Sequence, residues 1–299
     1  MVINQLKELG IHHLRCDEPM AHHTTWKIGG PADLYIPVNS RAQLVEVLRI
    51  LHAAKLSWKV IGRGSNTLVS DKGIRGAVIK LEQGFDELCF DDTNVNVGAA
   101  YSFIKLSVMA GKKGLTGLEF AGGIPGSVGG AVYMNAGAHG SDISHILTSV
   151  DVLLPSGEIE TWSQSELEFS YRHSIFQEAS AVILSAQFAL QHGERKGIAT
   201  SMANYKERRQ RTQPWNQACA GSVFRNPPGD FAARLIEQAG LKGTCIGGAQ
   251  ISEIHANFIV NLGHAKASDV LDLIHYVRTK IFELHGIELQ PEVLILGEF

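Results

Sequence analysis

The chain has 299 residues, 44 % of them hydrophobic and 19 % charged, with a formal net charge of −3. That apolar share supplies a large core split over two or three domains, and no Lys/Arg block suggests a nucleic-acid surface. The densest basic run, 206-KERRQR-211, is short and falls in a helical pattern, where it reads as a solvated helix face or a few cations near an anionic ligand.

The first 20 residues lack the apolar stretch and small-residue cleavage site of a secretory signal. No run of eighteen apolar residues occurs, so no spanning helix and no membrane insertion is expected. Cys16, Cys89, Cys219 and Cys245 are widely spaced, with no C-x-x-C. A reduced, cytoplasmic protein is the expectation.

Taken in chain order, residues 1–10 read as a short helix with Ile3, Leu6 and Leu9 apolar. A strand follows over 33–38. Ser40 opens a helix with Gln43 in the capping-box position, and Leu44, Val47, Leu48 and Leu51 share its apolar face. Residues 58–62 read as the next strand, completing a small α/β unit over 1–75. From 76 to 211 short apolar strands recur, at 77–81, 88–90, 95–99, 150–154 and 181–190, interrupted by helices near 102–111 and 198–211. Pro155-Ser156-Gly157 is turn chemistry and makes 150–154 a hairpin arm. The last part, 212–299, reads as a helix at 231–239, a strand around 257–262, a helix at 269–285 and a final strand at 293–297. Val270, Leu273, Ile274, Val277, Ile281 and Leu284 are spaced for one buried face of that helix. The whole is α+β.

Glycine is concentrated between residues 111 and 140, which hold ten of them. A tightly helical core tolerates few glycines, and a solvated linker needs no apolar residues between them. Close backbone approach to a ligand, with N–H groups aimed at anionic oxygens, fits the composition; so do tight structural turns. The segment 62-GRGSN-66, just after a strand, allows the same two readings. Neither segment is a G-x-G-x-x-G or a G-x-x-x-x-G-K-[ST]. The thirteen histidines include the adjacent pairs His12/His13 and His22/His23, whose members do not share a face, and no H-E-x-x-H occurs. No metal site is expected.

In 220-AGSVFRNP-227, Gly221 permits a backbone path that most residues resist, and Pro227 biases Asn226 away from helix. Ser222 is then placed on a short extended element that ends sharply, either as part of an ordinary turn or as a held catalytic hydroxyl. Glu292, between Pro291 and the final strand, is either an exposed edge residue or a catalytic carboxylate at the strand's mouth.

The motifs 24-TTWKIGGPAD-33, 62-GRGSNTLVSDKG-73, 119-EFAGGIPGSVGGAVYMNAGAHG-140, 171-YRHSIF-176, 220-AGSVFRNP-227, 247-GGAQISEIHANFIVN-261 and 290-QPEVLILG-297 stand in one order along the chain. In that set the chain resembles the UDP-N-acetylenolpyruvoylglucosamine reductases (the MurB family). Its compact 177–197 region resembles the shorter form that lacks an extra tyrosine-bearing loop. The resemblance implies three domains: a two-part FAD-binding region of the vanillyl-alcohol-oxidase/PCMH-like type, over 1–75 and 76–211, and a C-terminal α+β substrate domain over 212–299, with the last strand returning to the active site.

The resemblance also implies the chemistry. FAD, reduced by NADPH, passes a hydride to the enolpyruvyl group of UDP-N-acetylenolpyruvoylglucosamine, giving UDP-N-acetylmuramate for bacterial peptidoglycan. By the same resemblance FAD is held by Gly62, Arg63, Gly64, Ser65 and Asn66, and by Gly122, Gly123, Pro125, Gly126, Ser127, Gly129, Gly130, Asn135 and Gly137. Ser222 is the implied proton donor, Arg172 the cation facing the substrate carboxylate, and Glu292 its partner. Arg225, where many relatives have lysine, and Asn257 are the further implied substrate contacts. An FAD-dependent oxidase of another alcohol is disfavoured by the Ser222, Arg172 and Glu292 set. A non-catalytic nucleotide-sugar binder would lack the yellow flavin.

Overall fold

The computed structural model describes residues 2–299. The fold is α+β, and the chain builds two compact units that interleave in sequence. One contains the N-terminal stretch to Arg15, Leu34–Arg63 and Gly76–Arg208; the other contains Cys16–Asp33, Gly64–Arg75 and Arg209–Phe299. Each has its own apolar core.

In the first unit the strand Trp58–Ile61 pairs in parallel with Ile74–Leu81, whose other neighbour is Pro31–Val38. The connecting helix Arg41–Ala53 turns Leu44, Val47, Leu48, Ile50 and Leu51 inward. Ser40 caps it, its hydroxyl accepting from the Gln43 N–H at 3.1 Å. The reciprocal half of the box is shifted by one residue: the Gln43 side chain accepts from the Asn39 N–H at 3.0 Å.

A five-stranded antiparallel sheet completes this unit, in the order Ile159–Ser163, Leu147–Leu153, Val182–Ala189, Asn94–Gly98, Leu88–Asp91. The Pro155–Gly157 turn joins its first two strands. The glycine-rich segment is more regular than its composition suggests. It contains a 3-10 turn at Glu119–Gly123 and a six-residue helix, Val128–Tyr133. That helix is stable because Val128, Ala131 and Val132 bury one side of it, so packing outweighs the poor propensity of its two glycines.

The second unit has a four-stranded antiparallel sheet, ordered Ala218–Cys219, Ile259–Asn261, Ala249–Ile251, Cys245–Ile246. Against it lie the helices Ala232–Gln238 and Ala267–His285. The predicted strand around 257–262 shortens to Ile259–Asn261, because Phe258 closes a turn onto the His255 carbonyl at 3.0 Å. On the long helix Val270, Leu273, Ile274, Val277 and Ile281 are buried, but Leu284 is 59 % exposed, a correction to the predicted face. Periodicity sets the angle at which a side chain leaves the helix; burial also needs a neighbour, and the last turn has none at Leu284.

Trp26, fully buried, donates its indole N–H to the Ile259 carbonyl at 2.7 Å, and Asn261 returns a bond to the Trp26 carbonyl at 2.9 Å. Segment 24–33 is thereby sewn into a sheet more than two hundred residues later in sequence. The last strand, Leu294–Leu296, pairs in parallel with Thr67–Val69. Asp71 then caps the long helix, accepting from Ala267 N–H at 2.7 Å and Ser268 N–H at 3.0 Å. The four cysteines are free thiols, and no helix among the described residues is long and apolar enough to cross a membrane.

Asp71→Ala removes that cap, and losses of this kind run to about 1–2 kcal/mol. The midpoint of thermal unfolding followed by circular dichroism should fall. The midpoint for Asp71→Asn, which has one acceptor oxygen where the carboxylate has two, should lie between those of the wild type and the alanine variant. An unchanged midpoint in the alanine variant would mean that water satisfies the two N–H groups equally well.

Candidate active site

In the second unit Gly221 has φ of 77°, a left-handed conformation that strains any residue with a Cβ. The chain leaves it through half-buried Ser222, bends at Val223 and reaches Phe224, which bridges Pro291. The Val223 N–H donates to the Asn257 carbonyl at 2.9 Å, and the Val223 carbonyl accepts from the Glu292 N–H at 2.7 Å. Arg225 donates its N–H to the Gln290 carbonyl at 2.9 Å. Ser222, Arg225 and Glu292 therefore stand on two neighbouring stretches of backbone.

Asn257 holds that arrangement from behind. It is 4 % exposed; its Oδ1 accepts from the Phe224 N–H at 2.9 Å and its Nδ2 donates to the Phe224 carbonyl at 2.8 Å. Asn226 ends the segment by accepting the Ala232 N–H at 3.1 Å, which caps the helix Ala232–Gln238. The Asn66 amide donates to the Glu292 carbonyl at 3.0 Å, and Leu294 N–H donates to the Asn66 carbonyl at 2.9 Å. So the last residue of 62-GRGSN-66 is fastened to the stretch that carries Glu292 into the last strand.

Arg172 lies in the first unit, in a tight reversal where Ser170 and His173 exchange two backbone bonds of 3.2 and 3.1 Å. Its φ is 57°, costly for a residue with a side chain. The surroundings hold it there. Gln177 donates to the Arg172 carbonyl at 3.0 Å, and Asn135 donates to the Ser170 carbonyl at 2.9 Å while accepting from Ser144 N–H at 3.1 Å. The guanidinium lies over the Tyr171 ring and donates through Nη2 to the Gly137 carbonyl at 2.9 Å. Two residues on, His139 stacks face to face on Tyr205 at 3.9 Å. The stack had no sequence signal, because it joins a loop to the helix Arg195–Thr212 through rings far apart in the chain.

Gly62 also meets the second glycine segment inside the first unit. A Cβ on Gly62 would lie 2.7 Å from the Ser127 hydroxyl oxygen, and one on Gly129 only 3.0 Å from the Ala99 Cβ. The Ser127 hydroxyl accepts from Gly130 N–H at 3.3 Å, and the Gly126 carbonyl accepts from Phe103 N–H at 3.2 Å. Gly122 and Gly123 close the 3-10 turn before Pro125.

A family model described as UDP-N-acetylenolpyruvoylglucosamine reductase, C-terminal domain, matches residues 213–296, and one described as FAD binding domain matches 32–163. A UDP-N-acetylenolpyruvoylglucosamine reductase of Halalkalibacterium halodurans is 49 % identical over 297 residues, covering 99 % of each chain. This chain belongs to the UDP-N-acetylenolpyruvoylglucosamine reductase family. Another member, from Anoxybacillus flavithermus, is 51 % identical over 294 residues, covering 98 % of this chain and 97 % of the relative. The crystal structure of the family's reductase from Thermus caldophilus superposes with a TM-score of 0.83 at 35 % identity, covering 95 % of this chain and 100 % of that one. Like the family, the chain is an FAD-dependent oxidoreductase.

Asn257→Ala would leave the buried N–H and carbonyl of Phe224 without partners, at about 1–3 kcal/mol each. Thermal stability should drop, and steady-state reductase activity should fall further than the loss of folded protein accounts for, because the Ser222 turn loses its brace. Activity that tracks the folded fraction alone would limit Asn257 to a stabilising role.

Proposed function

We propose that the protein reduces the enolpyruvyl group of UDP-N-acetylenolpyruvoylglucosamine with electrons from NADPH, forming UDP-N-acetylmuramate for bacterial peptidoglycan. Family membership over nearly the full chain supports the overall reaction. The observation that carries the residue assignments is the backbone ladder holding the Ser222 turn beside Glu292.

The glycine segments fit FAD in that they converge: a Cβ on Gly62 would lie 2.7 Å from the Ser127 hydroxyl oxygen, so the lack of a side chain there is what lets the two segments meet. Gly62, Arg63, Gly64, Ser65 and Asn66, with Gly122, Gly123, Pro125, Gly126, Ser127, Gly129, Gly130, Asn135 and Gly137, would hold the cofactor. Backbone N–H groups of glycine-rich turns suit an anionic pyrophosphate. When bound, FAD supplies the redox couple that takes a hydride from NADPH and gives it to the terminal methylene carbon of the substrate.

Addition there builds negative charge on the neighbouring carbon and its carboxylate. Arg172 meets that charge with a permanent, planar, two-pronged donor. Its strained turn and its bond to Gly137 hold the guanidinium in place before substrate arrives, which is how an electrostatic group contributes most. Ser222 delivers the proton to the neighbouring carbon. A serine hydroxyl is a weak acid, and Arg225, three residues on, lowers the cost of transient alkoxide character. Glu292 works with Arg172, as a positioning partner or in the proton path. Asn257 serves the substrate through the turn that it braces.

In this reading 1–75 and 76–211 are the two cofactor-binding parts and 212–299 the substrate domain. The two substrates are small molecules, neither nucleic acid nor membrane takes part, and the protein works in the cytoplasm.

The test separates the two half-reactions by stopped-flow absorbance of the flavin. In Ser222→Ala, bleaching by NADPH should proceed at nearly the normal rate. Recovery of absorbance on adding the enolpyruvyl substrate should slow by roughly 100- to 10,000-fold, the usual contribution of a positioned proton donor. Normal recovery would remove Ser222 from the proton path.

A further inference from the structure

One half-buried cation has no part in the carboxylate and proton chemistry. Parallel pairing of Trp58–Ile61 with Ile74–Leu81 sets Lys80 opposite Ile61, the residue before Gly62. The Lys80 ammonium donates to the Gly62 carbonyl. The same Gly62 is the residue whose Cβ would collide with the Ser127 hydroxyl. Lys80 thus stands at the point, within the first unit, where the two glycine-rich segments come together.

The charges around it are unbalanced. Arg63, from the glycine loop, repels the ammonium, and Glu82, two residues along its own chain, attracts it more weakly. Burial, then Arg63, push the Lys80 ammonium down to about 8 against that pull. Two cations, Lys80 on the Gly62 carbonyl and Arg63 from the next residue, call for an anion at this glycine turn. The anion chemistry that suits a main-chain nest is a phosphate or pyrophosphate.

We propose that Lys80 is the counter-charge to the FAD pyrophosphate, aimed there through its bond to the Gly62 carbonyl. The proposal rests on the reading that FAD occupies the two glycine segments. An anion beside Lys80 raises its proton affinity in the complex, so FAD binding takes up a proton between the free value of about 8 and the raised value of the bound state. Affinity is then full below the free value and declines as pH rises through that window, by at most about tenfold per pH unit.

The probe is FAD itself, and the measurement is its dissociation constant from the holoprotein, read by flavin fluorescence on dilution. Between pH of about 7 and about 9.5 the wild-type dissociation constant should rise about tenfold or more. Lys80→Gln should bind more weakly at pH of about 7 and show no rise across the window. Lys80→Arg, whose charge does not titrate there, should bind tightly and without the rise. Where a variant fails to fold, calorimetry of wild-type reconstitution with FAD in two buffers of different ionisation enthalpy counts the protons taken up directly. A flat wild-type profile, a Lys80→Gln variant with normal affinity, or one that keeps the pH slope overturns the proposal. Gly62→Val tests the underlying reading separately: its side chain collides with Ser127 and should abolish FAD retention at every pH. If that variant keeps its flavin, the reading fails; if it loses flavin while Lys80→Gln behaves as wild type, only the role of Lys80 fails.

Discussion

The second unit depends on one constraint: the stretch 290–296 must return to the backbone of two segments far from it in sequence. Leu294–Leu296 pairs with Thr67–Val69, and Glu292 and Gln290 bond to Val223 and Arg225. Each such bond is worth only about 0.5–1.5 kcal/mol net. Their number and regular register are what set the two stretches in place. The entropic cost of closing so long a loop grows only logarithmically with its length, and the buried core around Trp26, Phe224, Ile259 and Leu273 offsets it. Without this return the Ser222 turn would lack the stretch of backbone that carries Glu292.

Polar side chains do similar work at smaller scale. Asn257, Asn226, Asn135 and Asn66 each spend an amide on main-chain groups of a distant or adjoining turn. An amide both donates and accepts, so one side chain can satisfy two backbone groups of a non-repeating loop. Arg172 shows what such bracing permits. Its left-handed backbone would relax in an isolated peptide; here Asn135 and Gln177 hold the flanking carbonyls, and the strain becomes preorganisation. The long-range ties explain why the local patterns of these loops look like ordinary turns.

Composition and periodicity carried the α+β class, the helices near 41–53, 103–113 and 267–285, and most strands of the five-stranded sheet. These elements have apolar residues at the spacing of the face they bury, and the local pattern is enough. The strands Thr67–Val69, Ala249–Ile251 and Leu294–Leu296 are short, and what makes them strands is pairing rather than propensity. The first was not legible at all, whereas the last was read as a strand over 293–297 from its apolar run and forms over Leu294–Leu296. Leu284 marks the opposite limit, a correct helical position with nothing to pack against.

For the site, the chain by itself determined which residue types are available and in what order: a serine after a glycine, an arginine after a tyrosine, a glutamate after a proline, and two runs of glycine. The family's motifs, recognised together, pointed to an FAD-dependent reduction. Tertiary structure alone decided that Glu292 lies beside Val223, that Asn257 grips Phe224 from behind, that Arg172 is strained into place, and that Lys80 stands under Gly62. Those relations come from strand register and loop closure across long stretches of chain, and such cooperative terms leave no mark in the local spacing of residues.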